Sequence, residues 1–176
     1  MKKLYLVRHT TKDDEKSNNY DYDIELSEDG KEKSNNYDYD IELSEDGKEK
    51  AKIMAQNFAK KNPNIDLIVA SPAIRTRQTA EIFAQELNYN KTVMLNEVLY
   101  MAFLNELLET ITYTYDTVDS MLLVGHNPSL TALGVTLVGF KEKFEEGAIM
   151  EIEFDCNSWI DISKNNAKLI SYEKPL

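Results

Sequence analysis

Three times along the chain a short, nearly all-apolar run ends on polar residues and is followed by a helical pattern. Residues 4–7 (LYLV) precede Arg8-His9, residues 66–70 (DLIVA) precede Ser71-Pro72, and residues 121–124 (MLLV) precede Gly125-His126. Runs this short and apolar suit strands buried on both faces, as in parallel sheets covered by helices. Strand and helix patterns alternate through most of the 176 residues. The expected fold class is therefore α/β: a single domain built as a three-layer α/β/α sandwich, with a mainly parallel central sheet and an antiparallel edge. In open sheets of this kind ligands bind beyond the carboxyl ends of the strands, and that is where all three runs carry their polar residues.

The remaining elements follow from caps and periodicity. Ser44 reads as an N-cap with Glu45 and Asp46 in the first helical turn, and the helix is expected to run to about Lys60, before Asn62-Pro63 stops it. Further helices are expected over residues 73–87, 103–111 and 129–138, with a short strand at 93–95. Alternation over residues 148–154, 158–162 and 168–172 predicts antiparallel strands around an Asn165-Asn166 turn.

Residues 17–33 and 34–50 are identical letter for letter, SNNYDYDIELSEDGKEK. Identity this complete is foreign to an old structural repeat, and 17 residues are fewer than a stacking solenoid unit needs. One copy is therefore surplus to the fold. Only the second copy runs directly into Ile53, Met54 and Phe58, which continue its helical spacing. The first copy is thus expected to enlarge the loop after the first strand, where added length costs only a logarithmic entropy term.

Each copy holds six acidic residues and two lysines, and the chain carries a net charge of −11 with a pI near 4.7. Such a field argues against nucleic acid or an anionic membrane as partner. No apolar run is long enough to span a bilayer, and Met1-Lys2-Lys3 leads straight into a strand with no signal-peptide pattern, so a soluble cytoplasmic protein is expected. Cys156 is the sole cysteine and reads as a small apolar residue; no disulfide framework is expected. No His/Cys/Asp cluster has ligand spacing, so neither metal nor other cofactor is expected. An anionic ligand would have to be attracted by a few placed cations against the global charge.

The chain has two histidines, His9 and His126, and both stand at the end of an apolar run. Arg8 adjoins the first, and Arg75 opens the helix after the second run, residues 66–70. A neutral imidazole whose second nitrogen is held by a hydrogen bond can attack phosphorus. Phosphoryl transfer is mostly a matter of positioning and charge stabilisation, and guanidinium forks chelate phosphate oxygens in fixed geometry. Arg77, two residues beyond Arg75, points elsewhere on a helix and reads as solvated.

Three stretches resemble the histidine phosphatase, or phosphoglycerate mutase-like, superfamily: Leu6-Val7-Arg8-His9-Thr10, Ser71-Pro72-Ala73-Ile74-Arg75-Thr76-Arg77-Gln78-Thr79-Ala80, and Val124-Gly125-His126-Asn127-Pro128. The resemblance implies a nucleophile at His9, phosphate clamps at Arg8 and Arg75, and a phosphate-contacting partner at His126. Length, together with Leu43-Ser44-Glu45-Asp46-Gly47, is most similar to the small SixA-type phosphohistidine phosphatases. That implies a metal-independent phosphatase acting through a phosphohistidine intermediate on a phosphohistidine protein. A small-molecule phosphomonoesterase is the alternative enzyme, and a noncatalytic phosphoprotein-binding module the alternative of another class. Thr10 departs from the usual glycine of the first motif. Glu97 lies near where larger relatives place a proton-donating carboxylate, and stands as the candidate general acid.

Overall fold

The computed structural model describes residues 1–13 and 38–175. Among them six strands form one sheet: β1 (Lys2–Arg8), β2 (Leu67–Ala70), β3 (Met94–Leu95), β4 (Ser120–Gly125), β5 (Ile149–Phe154) and β6 (Ala167–Glu173), in the order β3-β2-β4-β1-β5-β6. β3, β2, β4 and β1 run parallel, while β5 lies antiparallel to both β1 and β6. Among the described residues the helices that frame the sheet are α1 (Glu45–Ala59), α2 (Ile74–Glu86), α3 (Leu104–Thr112) and α4 (Ser129–Val138).

The apolar runs divide their side chains between two cores, as a period of two requires. Leu4, Leu6, Val69, Met121 and Leu123 pack with Leu107 and Ile111 of α3 and Leu130 and Leu133 of α4. Tyr5, Val7, Ile68, Ala70, Leu122 and Val124 pack with Met54, Ala55 and Phe58 of α1 and Ala80 and Phe83 of α2. The sheet is thus the middle layer of three.

Register carries the functional consequence. Arg8 pairs with Gly125 across β1 and β4, and Ala70 pairs with Val124 across β2 and β4. His9, His126 and Ser71, each within a residue or two of those pairs, therefore leave the same sheet end side by side.

Helix α1 begins inside the second copy of the repeat. The Ser44 hydroxyl accepts from the Gly47 N–H at 2.9 Å, with Glu45 and Asp46 in the first turn, where the helix dipole favours negative charge. Gly47 has a specific reason to lack a side chain: a Cβ there would meet the Thr11 carbonyl oxygen at 2.1 Å. An antiparallel bridge joins Lys12 to Leu43, and the Asp13 N–H donates to the Glu42 carbonyl at 2.9 Å. Both ends of the excursion between β1 and α1 are therefore pinned together, which is where extra chain is inserted at least cost. The first copy, residues 17–33, lies outside the described residues.

One expected strand is absent. Residues 158–162 form a 3₁₀ turn, Trp159–Asp161, instead of pairing. The Trp159 ring is fully buried and its Nε1–H donates to the Val118 carbonyl at 2.7 Å, so the segment folds inward to plug the core while β6 pairs directly with β5. Alternation in Ser-Trp-Ile-Asp-Ile imitates a strand but cannot report the partner that a buried indole demands. No helix among the described residues is long and apolar enough to cross a membrane.

Candidate active site

The carboxyl ends of β1, β2 and β4 enclose a cavity of about 260 Å³ lined by Arg8, His9, Arg75 and His126, together with Lys12, Asp38, Tyr100, Met101, Asn127 and Glu146. The four residues singled out by their strand-end positions thus meet around one space. Glu97 does not line it: it is exposed on a 3₁₀ turn, Glu97–Leu99, beyond β3. Arg77 is exposed on the far side of α2 from its buried neighbour Arg75.

His9 is 5% exposed, and its Nδ1 lies 2.8 Å from the Thr10 carbonyl oxygen. A carbonyl only accepts, so the neutral ring carries its proton on Nδ1 and leaves the Nε2 lone pair unprotonated. Burial, followed by the charge of Arg75, holds the His9 pKa well below the ordinary 6.5, so the ring is neutral at physiological pH. Those are the two conditions an imidazole nucleophile needs.

His126 stands with its ring centroid 5.6 Å from that of His9, and its Nε2 lies 2.7 Å from the Ser71 Oγ. Burial first, and Arg75 second, push its pKa down to about 3. Ser71 is itself fixed at the end of β2, where its N–H donates to the Val124 carbonyl at 3.1 Å and its carbonyl accepts from the Thr76 hydroxyl at 2.7 Å. The Ser-Pro turn therefore positions both His126 and the first turn of α2, from which Arg75 projects.

Thr10 is buried and its hydroxyl donates to the Gly47 carbonyl at 2.7 Å. The residue that replaces glycine after His9 thus ties the end of β1 to α1, across the close approach that Gly47 permits.

The two arginines are the most informative groups. Arg8 donates from one terminal nitrogen to the Phe144 carbonyl at 2.9 Å, and Arg75 directs its terminal nitrogens at Asp38. The Nε–H of each is buried without a hydrogen-bond partner, and among the described residues these are the only buried side-chain polar atoms in that condition. An unmet buried donor costs about 1–3 kcal/mol, so its persistence calls for an explanation. Both arginines line the one cavity, and two guanidinium groups there suit an anion that carries several acceptor oxygens.

Asp38 and Tyr100 escaped detection from sequence. Asp38 is one acid among many in the repeat and nothing local marks it out. Tyr100 follows the short strand β3, so the strand-end rule that found the histidines would have found its segment had β3 been longer.

The family model of the histidine phosphatase superfamily (branch 1) matches residues 4–118. An uncharacterized protein of Mycobacterium tuberculosis (strain ATCC 25618 / H37Rv), Rv1276c, is 27% identical over 124 residues, covering 64% of this chain and 75% of that one. Among solved structures, the putative phosphohistidine phosphatase SixA from Agrobacterium tumefaciens superposes with a TM-score of 0.74 at 23% identity, over 99% of this chain and 98% of that one. The putative phosphohistidine phosphatase SixA from Nakamurella multipartitia gives 0.76 at 22%, over 99% and 96%. The structural likenesses establish a shared fold.

Proposed function

Because the chain belongs to the histidine phosphatase superfamily, we propose that it is a metal-independent phosphatase in which His9 attacks phosphorus and the phosphoryl group passes through a phosphohistidine to water. The observation that carries this reading is the convergence of Arg8, Arg75 and His126 with the neutral His9 on one cavity. The Nε2 lone pair forms the N–P bond as the bond from phosphorus to the leaving atom breaks. Water then attacks phosphorus, the P–N pair returns to Nε2, and inorganic phosphate leaves. The two guanidinium groups meet the charge that spreads over the equatorial oxygens, which is the part a metal ion plays in other phosphoryl-transfer sites.

The chemistry of the leaving group favours a phosphohistidine in a protein as substrate. An ester oxygen leaves poorly without a proton donor, whereas a phosphoramidate nitrogen needs less help. Glu97 stands outside the cavity, and Asp38 within it makes a poor acid. Burial would raise the Asp38 pKa, but the Tyr100 hydroxyl and the Arg75 charge outweigh burial and hold it below 3.8, so it stays ionised. Small-ester hydrolysis is the second reading, and rests on Glu146 as the other carboxylate lining the cavity. In either reading the duplicated residues 17–33 are an insertion between β1 and α1 within a single domain.

The test is turnover of a phosphohistidine protein against a panel of small phosphoesters, with chelator present and absent. Rapid quenching should reveal acid-labile phosphate on His9, and His9→Ala should lose at least about a thousandfold in rate with its unfolding transition retained. Full activity in His9→Ala would overturn the mechanism, and a rate abolished by chelator would overturn metal independence. Binding without turnover on every substrate would instead indicate a phosphoprotein-binding module.

A further inference from the structure

Arg75 is 5% exposed, and both of its terminal nitrogens are engaged by one residue of the repeated segment. One donates to the Asp38 carbonyl oxygen at 2.6 Å and the other to the Asp38 Oδ2 at 3.0 Å. The same Oδ2 accepts from the Tyr100 hydroxyl at 2.7 Å. A guanidinium fork that grips a phosphate by two oxygens is here gripped by a carbonyl and a carboxylate of its own chain.

Carboxylate and phosphate are rivals for such a fork because each offers negatively charged oxygens at matching spacing. Asp38 has the advantage of being tethered. Its side chain is 36% exposed and lines the cavity, so on leaving Arg75 it passes into water and regains hydration. Yet it is joined to α1 through Leu43 and Ser44, whose N–H groups donate to the Gln78 Oε1 at 2.8 Å and the Thr11 carbonyl at 3.0 Å. A tethered group of this kind competes at an effective concentration of about the millimolar range or above.

We propose that Asp38 is an internal competitor of phosphate for Arg75, one that weakens retention of inorganic phosphate and so sets which substrates the site accepts. The proposal rests on the phosphatase reading. When product phosphate departs, the carboxylate returns to the fork and neutralises a buried cation. A substrate must displace it, so ligands that bring contacts beyond the phosphoryl group, as a protein surface does, are favoured over free phosphate. Tyr100 holds the competitor in place and is a positioning residue in this scheme.

The experiment is calorimetric titration of inorganic phosphate into the wild-type chain, Asp38→Asn, Asp38→Ala and Arg75→Ala at low salt and pH 7, alongside turnover of each. Because the repeat places an identical aspartate at position 21, the double variant D21A/D38A removes any substitute. Loss of a charge-assisted contact to the rival should tighten phosphate binding about tenfold or more in the Asp38 variants, and lower the product-inhibition constant by the same factor. Unchanged or weaker phosphate binding in D38N, D38A and the double variant overturns the proposal, and so does phosphate binding that survives Arg75→Ala. Tighter phosphate binding in a protein that turns over no substrate sustains the competitor and defeats the phosphatase reading instead.

Discussion

Strand β1 carries a cation at each end, Lys2 buried and Arg8 half-buried, and the two are treated in opposite ways. At its start Lys2 is 1% exposed, and its ammonium donates to the Asp116 carbonyl at 2.8 Å, the Val118 carbonyl at 3.0 Å and the Asp119 carboxylate at 3.0 Å. Three donors meet three acceptors, and the ammonium also lies 5.9 Å from the centroid of the Trp159 ring. At its finish Arg8 spends one contact on Phe144 and keeps a buried Nε–H unpartnered, as does Arg75 beside it. A buried charge whose donors are all met by protein is a structural member. A cation that lines a cavity, as Arg8 and Arg75 do, is placed to meet an anion that arrives.

The difference is sharpened most by exchanging the losses. Arg75→Ala should lower kcat/KM by about a thousandfold, as removal of a transition-state donor on a buried cation does, with little change in urea unfolding. Lys2→Met should leave the activity of the folded protein unchanged and cost about 2 kcal/mol of stability, through carbonyls stripped of a charged donor. Urea midpoints and steady-state kinetics on both variants check the pair, and equal stability losses would erase the distinction.

A smaller effect comes from pH. An unfolded histidine takes up a proton as pH falls through about 6.5, while folded His126 does not until about 3. Between those values the unfolded chain binds more protons, so stability is complete above about pH 6.5 and drains away as pH falls. His126 alone should account for a loss of about 2 kcal/mol between pH 6.5 and 5, and His9 adds a loss of the same sign. Unfolding free energies across this range, in wild type and in His126→Asn with its shallower expected slope, measure it. Stability that rises toward pH 5 would show that the histidines are not buried neutral.

An effect of similar size concerns the floor under the site. Gly47→Ala drives a methyl into the Thr11 carbonyl and should cost about 1–3 kcal/mol, as overpacking does. Gly30→Ala, the same substitution in the first copy, should be neutral if residues 17–33 are surplus to the fold. Thermal melts of the two variants side by side decide it, and a larger loss at Gly30 would place the helix start in the wrong copy.

The sequence by itself determined what is local. Strand ends, the Ser44 cap, the Ser71-Pro72 turn and the placement of Arg8, His9, Arg75 and His126 follow from periodicities of two and 3.6 and from caps, which depend on neighbours within a few residues. The register Arg8 with Gly125 then brought the marked residues together, because parallel runs of similar length end at a common edge. Tertiary structure alone decided the rest. It seated Asp38 on an arginine 37 residues away, left Glu97 outside the cavity, turned Trp159 into the core, and left the Nε–H groups of Arg8 and Arg75 unpartnered. Each of these depends on which distant groups the closed chain sets within hydrogen-bond reach. A residue's neighbours in sequence carry no record of that, since an aspartate in an acidic run looks the same whether it meets water or a buried guanidinium.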